Sequence, residues 1–204
     1  MRTVVAGIGN IFLGDDAFGV ELARRLGTEQ LPEGVTVADY GIRGMHLAYD
    51  LLEIAPDTTI LLDAITRGDE PGTVYVLEIG PEHVADIAPA AVDAHGMAPD
   101  AVLGLLDNLG GNAGRTLLVG CEPANTEEGI GLSATVAAAV EKAVGVVLDL
   151  LTNQEGSGTD EGSSGSADVL GVGDRPSGHS SAGVQGRGSL QADQRAVIPN
   201  PPRR

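Results

Sequence analysis

The sequence predicts an α/β sandwich around a five-stranded, mostly parallel sheet with one antiparallel edge strand. Short β-type apolar runs alternate with segments whose apolar residues recur at helical spacing, in the order βαβαββαβα. The linker between the third and fourth strands, residues 66–72, is too short for the crossover helix that a parallel connection needs. The fourth strand is therefore expected to run antiparallel to the third, at the edge of the sheet.

The first five elements are identified by their apolar patterns. A first strand at 4–6 leads through a glycine-rich turn into a helix over about 16–26. A second strand at 35–38 is followed by a helix over 44–54, and the continuous apolar run at 59–62 is typical of a central parallel strand. The apolar side chains near helical spacing in the second helix are Met45, Leu47, Leu51, Leu52 and Ile54.

The remaining elements follow the same logic. A fourth strand covers 73–79, and Pro99 suits the first turn of a third helix. A fifth strand covers 116–122, and Ser133 is placed to cap a last helix that runs to about Leu151. The stripe predicted for the third helix is Val102, Leu105, Leu106 and Leu109, and that of the last helix is Val136, Val140, Val144, Val147 and Leu151.

Composition divides the chain into two parts. Residues 1–153 carry all of these elements and are predicted to form one domain. Residues 154–204 are rich in Gly, Ser and Pro and have almost no periodic apolar residues, so they cannot bury enough surface to order themselves. We predict a disordered tail there and assign it no function.

Charge and cysteine content exclude several classes of function. The formal net charge is −17, and nearly all of it falls in the predicted domain. Such an acidic surface disfavours nucleic acids and anionic membranes, which need basic contacts. No apolar stretch approaches the roughly 20 residues that span a bilayer. Lone Cys121 excludes an internal disulfide and favours a reducing compartment, so a cytoplasmic protein is expected.

The turn after the first strand resembles a phosphate cradle only superficially. Gly7, Gly9 and Gly14 depart from the G-x-G-x-x-G spacing of dinucleotide sites. Asp15 and Asp16 follow them, and two carboxylates would repel a phosphate. Such acids suit a cation or proton transfer better. The alternative is that the two aspartates only cap the helix and complement its dipole.

Polar side chains collect where the predicted strands end. Asp16 lies just beyond the first strand, Asp39 and Asp63 end the second and third, and His95 precedes the third helix. Open α/β sheets place their sites at the carboxyl ends of strands. Two carboxylates and one imidazole would make a three-ligand site that suits zinc or nickel better than magnesium. The alternative is ordinary turn chemistry and a structural histidine.

Other reactive side chains offer weaker candidates. His46 falls on a predicted exposed helix and His83 in a loop, which favours surface positions. Cys121 could be a nucleophile, although free cysteines usually behave as small buried hydrophobes. The sequence contains no G-x-S-x-G motif, which argues against a serine hydrolase of that type.

The opening segment GIGNIFLGDDAFGVELARRL resembles the G-x-G-N-x-L-x-x-D-[DE]-x-x-G signature of the hydrogenase maturation endopeptidases. These enzymes trim a C-terminal extension from the large subunit of nickel-iron hydrogenase. Further similar segments follow in the same order and together cover nearly all of residues 1–152. They are DYGIRGMHLAYDL, LLDAI, AHGM and VGCEPANTEEGIGLSATVAAAVEKAV.

The resemblance implies a three-layer α/β/α sandwich and a metal-binding, catalytic triad at Asp16, Asp63 and His95. At position 16 the family has Glu or Asp, and the Asp here is one methylene shorter than Glu. The resemblance also implies that the protease recognises nickel already carried by the large-subunit precursor. Whether another divalent metal occupies the resting site stays open, as does whether the metal activates water or only docks the substrate.

Three further residues are expected to assist the triad, and Asp39 is a candidate polar participant in catalysis. Gly41 and Gly44 would let the substrate backbone approach, and Arg43 would orient a carboxyl or carbonyl oxygen. The partner implied is the hydrogenase precursor, and a monomer is expected. Two alternatives remain: a non-catalytic nickel-dependent checkpoint that binds the precursor, and a general peptidase of the same fold.

Overall fold

The structure, a computed structural model, describes residues 1–80 and 99–155. His83, His95 and residues 156–204 of the predicted tail lie outside the described residues, whereas residues 154 and 155 belong to the last helix. The division of the chain into a domain and a tail stays a prediction. The described strands are β1 Thr3–Ile8, β2 Val35–Gly41, β3 Thr58–Ala64, β4 Val74–Ile79 and β5 Arg115–Cys121. The described helices are α1 Phe18–Leu26, α2 Gly44–Ile54, α3 Pro99–Asn108 and α4 Ala134–Glu155, and a 3₁₀ turn, Gly14–Ala17, precedes α1.

The five strands form one sheet in the order β2-β1-β3-β5-β4. β1 lies between β2 and β3, and all pairs are parallel except the antiparallel pair of β4 with β5. The predicted α/β class and antiparallel edge strand are therefore confirmed. β4 does not pair with β3, however, because β5 lies between them and supplies the hydrogen bonds to both.

Helices cover the sheet on both faces and give three layers. Side chains of α1 and α4, such as Phe18 and Val140, form one core with Val5 and Leu62. Side chains of α2 and α3 form a second core on the opposite face with Val4, Ala6 and Leu61. Successive residues of a strand point to opposite faces, so β1 and β3 contribute to both cores.

Helix ends and stripes differ in detail from the sequence prediction. The first α-helix begins at Phe18, because the residues before it form the 3₁₀ turn. In α3 the buried leucines are Leu103 and the predicted Leu106, whereas Leu105 is only partly buried and Leu109 is exposed. The α4 stripe is confirmed, and the Ser133 hydroxyl accepts a hydrogen bond from the Val136 N–H, as expected of a cap.

Two glycines let α1 pack directly on the sheet. A Cβ on Gly19 would lie 2.0 Å from the Leu62 carbonyl oxygen and 2.4 Å from that of Ile8. A Cβ on Gly7 would lie 2.3 Å from the Gly19 carbonyl oxygen. The missing side chains therefore let the helix reach β1 and β3, which fixes where the preceding turn lies.

Among the residues that the structure describes, no helix is both long enough and apolar enough to traverse a bilayer.

Candidate functional site

Two of the predicted site residues meet at the carboxyl edge of the sheet. Asp16 lies in the 3₁₀ turn between β1 and α1, and Asp63 is the penultimate residue of β3. β1 and β3 are parallel neighbours, and the 3₁₀ turn packs against β3. The two aspartates were predicted from separate strand ends, and the fold brings them together because parallel strands end at the same edge.

A glycine and an asparagine set the position of Asp16. Gly9 has φ +130°, and a Cβ there would lie 1.9 Å from the Asp16 carbonyl oxygen, so only glycine allows the turn to fold back on β1. The Asn10 N–H donates to Asp16 Oδ2 at 2.6 Å. The Asn10 side chain in turn accepts the Phe12 N–H at 3.0 Å. The turn therefore holds the carboxylate through its own backbone.

Asp63 lies in an electrostatically unfavourable position. Burial raises the pKa of its carboxyl well above the ordinary value, and the negative charge of Asp16 raises this pKa further. The Ala64 N–H, which donates to Asp63 Oδ1 at 2.9 Å, offsets part of this effect. Two carboxylates that repel each other would be stabilised by a cation between them, so the donor set suits a metal ion.

The third predicted ligand, His95, lies outside the described residues. Within 1–80 and 99–155, no three His, Cys, Asp or Glu side chains are arranged to hold a metal ion. The described part of the triad is therefore the carboxylate pair, and the imidazole stays a prediction.

Asp39 lies at the same edge but has a different partner. Its Oδ2 is 3.1 Å from an Arg24 guanidinium nitrogen on α1. Val35 and Val37, on the same side of β2, pack with the α1–α4 core, whereas Leu61, on the same side of β3 as Asp63, packs with the opposite core. The Asp39 and Asp63 side chains thus leave the sheet on opposite faces. A catalytic role for Asp39 stays a prediction.

The turn after β2 contains the other residues expected to assist. Gly41 has φ +53°, which favours glycine at that position. Arg43 is exposed and donates to the carbonyl oxygens of Tyr40 and Asp39, so its guanidinium stabilises its own turn. Gly44 begins α2 and is buried. Their contact with a substrate stays a prediction.

Asp15 has a role that the sequence did not reveal. It is buried, and its carboxylate accepts backbone N–H groups of Ala124 at 2.9 Å, Asn125 at 3.0 Å and Ser133 at 2.6 Å. The sequence predicted that Asp15 and Asp16 would either serve a cation or proton transfer, or cap the helix that follows. Instead, Asp15 ties the loop between β5 and α4 to the turn that carries Asp16. The resemblance to the family assigned the metal site to Asp16, but it gave no role to Asp15.

Glu122 was also missed, and it organises the loop after β3. Its buried carboxylate accepts the N–H groups of Arg67 at 2.7 Å and Gly68 at 3.1 Å and the Tyr75 hydroxyl at 2.9 Å. Burial acts to raise the pKa of Glu122, yet these donors outweigh it and hold the pKa below the ordinary value. Glu122 therefore stays ionised and fixes the chain just beyond Asp63.

Cys121 is a buried hydrophobe. Its side chain is fully buried, and burial, with the nearby charges of Asp15 and Glu122, raises the pKa of the thiol to about 12. A neutral, inaccessible thiol cannot act as a nucleophile near neutral pH. His46 is exposed on α2, as predicted.

Comparison with known proteins gives consistent results. The family model of the hydrogenase maturation proteases, HycI, matches residues 20–150. Hydrogenase 2 maturation protease of Escherichia coli is 35% identical over 153 residues, covering 74% of this chain and 91% of that protein. The solved structure of the hydrogenase maturating endopeptidase HybD from E. coli has a TM-score of 0.62 and 36% identity, covering 76% of this chain and 94% of that chain.

An archaeal structure extends the similarity. The [NiFe] hydrogenase maturation protease HycI from Thermococcus kodakarensis has a TM-score of 0.60 and 26% identity, covering 74% of this chain and 93% of that chain. The matches therefore span nearly the whole length of these proteins.

Proposed function

The chain belongs to the hydrogenase maturation protease family, and we propose that it removes a C-terminal extension from the large-subunit precursor of a nickel-iron hydrogenase. Family membership makes the chain a peptidase that acts in hydrogenase maturation. The observation that carries the finer proposal is the pair of carboxylates, Asp16 and Asp63, at the carboxyl edge of the sheet. This is the edge where open α/β folds bind their ligands.

The substrate's nickel is the proposed recognition element. Asp16 and Asp63 would bind it with carboxylate oxygens, and His95 would add the imidazole nitrogen that favours nickel over magnesium. When bound there, a divalent metal supplies Lewis-acid chemistry, by polarising a carbonyl or lowering the pKa of a water. The precursor's own ligands would share the ion, so the scissile bond would be held beside the two carboxylates.

The chain's own residues would contribute positioning. Asn10 holds the Asp16 carboxylate and Ala64 holds that of Asp63, so neither ligand needs to be ordered when substrate binds. Gly41 has no side chain to block a substrate backbone, and Asp39, paired with Arg24 and close to Gly41, would serve as a secondary polar group.

The test is cleavage of a purified precursor in two forms, nickel-loaded and nickel-free, followed by intact mass. We expect loss of a C-terminal peptide from the loaded form alone. Binding of the loaded form without any mass change would instead support the checkpoint alternative. Cleavage of both forms would support a general peptidase that does not require nickel.

Site variants test the residue roles. Asp16→Ala and Asp63→Ala should each lower the cleavage rate at least about a hundredfold, since even groups that only orient a metal ligand are worth 10–100-fold. Asp149→Ala on the exposed face of α4 is the matched control and should leave the rate unchanged. Normal processing by Asp16→Ala or Asp63→Ala would refute the assigned site.

A further inference from the structure

Two exposed apolar side chains lie on the loops next to the carboxylate pair. Ile130 is 84% exposed and Phe12 is 60% exposed. Phe12 lies in the turn that leads to Asp16, and Ile130 lies in the loop between β5 and α4. We call residues 10–13 and 125–131 the rim. Single exposed apolar side chains are common, but the Leu13–Gly129 bridge brings these two loops together, and exposed apolar side chains grouped in this way indicate a surface for another protein.

The rim backbone is held in place. Leu13 and Gly129 form a parallel bridge, in which the Gly129 N–H donates to the Phe12 carbonyl at 2.9 Å and the Gly14 N–H donates to the Gly129 carbonyl at 3.0 Å. The three N–H groups that Asp15 accepts anchor the rest of the loop. Because the backbone is already ordered, Phe12 and Ile130 can contact a partner without the entropy cost of ordering a loop.

The rim contains a recess, and the charged side chains around this recess are acidic. A cavity of about 210 Å³ opens between the loops, lined by Gly14, Asp15, Asn125 and residues 127–133. Asp15 is 1% exposed and its carboxylate accepts three backbone N–H groups, so it presents little polar surface to an apolar side chain in the recess. Glu127 and Glu128 are exposed beside it, and residues 9–16 and 122–133 contain no Lys or Arg.

We propose that the rim is the docking surface for the hydrogenase precursor. In this inference, which rests on the proposed function, a precursor segment with an apolar side chain flanked by Lys or Arg packs against Phe12 and Ile130. The acidic side chains attract the basic flanks, and the apolar contact holds the segment while the scissile bond lies at Asp16 and Asp63.

The apolar part is tested with the double variant Phe12→Ser/Ile130→Ser in full-length protein. KM for cleavage of the nickel-loaded precursor, and Kd measured by calorimetry, should rise about tenfold or more, because truncation of apolar side chains at the centre of an interface weakens binding by at least this factor. The maximal cleavage rate should change less than about twofold, since docking affects binding rather than the chemical step. Leu109→Ser is the matched control, because Leu109 is an exposed apolar residue at the opposite edge of the sheet.

The charged part is tested with Glu127→Lys/Glu128→Lys. Its KM should rise several-fold at about 50 mM salt and approach the wild-type value at about 0.5 M, because salt screens exposed charges. A KM difference that does not depend on salt would contradict electrostatic attraction.

The outcomes separate this inference from the proposed function. Cleavage by wild type with unchanged KM and Kd in the Phe12→Ser/Ile130→Ser variant would overturn the rim and leave the protease function intact. Binding by wild type without cleavage would refute the protease function, and the Kd comparison would still decide the rim. If the wild type did not bind the precursor, both the rim proposal and the protease function would be overturned. A wild-type dimer that the double variant abolishes, with unchanged precursor Kd, would make the rim a self-association surface and overturn the proposal.

Discussion

Replacement of Asp15 should lower the free energy of unfolding, because Asp15 is a buried acceptor of hydrogen bonds that hold the fold together. Its buried carboxylate accepts three backbone N–H groups, from Ala124, Asn125 and Ser133. A buried donor that loses its acceptor costs about 1–3 kcal/mol. Ala124 and Asn125 are themselves exposed, so water can reach their N–H groups and the lower end of that range applies to them. Asp15→Ala should therefore lower the free energy of unfolding by about 3–4 kcal/mol.

Asp15→Asn gives a graded comparison. The amide oxygen can still accept the two bonds that Oδ2 accepts, but the NH₂ group would face the Ser133 N–H, so a loss of about 1–2 kcal/mol is expected. Urea unfolding followed by circular dichroism gives both values. Asp149→Asn on α4 is the control and should change stability by less than about 0.5 kcal/mol. If Asp15→Ala cost less than about 1 kcal/mol, these bonds would not anchor the loop.

Glu122, Gly19 and Cys121 can each be tested by one measurement. Glu122→Gln should lower stability at pH 7 by about 1–2 kcal/mol, because it weakens the acceptor of the Arg67, Gly68 and Tyr75 donors. The folded-state pKa of Glu122 is lowered, so its contribution to the free energy of unfolding is present above the unfolded pKa of about 4.3. This contribution is lost as the pH falls through the folded-state pKa. The urea unfolding curves of variant and wild type should therefore converge in acid. Gly19→Ala should cost more than about 3 kcal/mol or prevent folding, as measured by soluble yield and urea midpoint, because its Cβ would clash with the Leu62 and Ile8 carbonyls. Cys121 should resist labelling by a thiol reagent at pH 8 until urea unfolds the chain, and rapid labelling of the native protein would contradict the buried thiol.

The fold class could be predicted from local signals. Apolar periodicity depends on residues only two to four positions apart, so strands and helices were placed correctly to within a few residues. The seven-residue linker 66–72 excluded a crossover helix, and this alone gave the direction of β4. The partner of β4 could not be predicted in the same way, because β5 begins far along the chain at Arg115.

The sequence alone determined that acids gather at the strand ends, and it identified the family chiefly through the segment around Asp16 and the segment at 119–144. The resemblance assigned Asp16 to the site, but the roles of Asp15 and Glu122 were decided only by the tertiary structure. Asp15 and Asp16 are adjacent and chemically alike, yet one binds N–H groups more than a hundred residues away and the other faces Asp63. Glu122 likewise accepts donors from a loop that lies before β4. Sequence spacing gives the direction of a side chain on its own element, but the partners of a buried carboxylate depend on which distant segments the packed core brings to it.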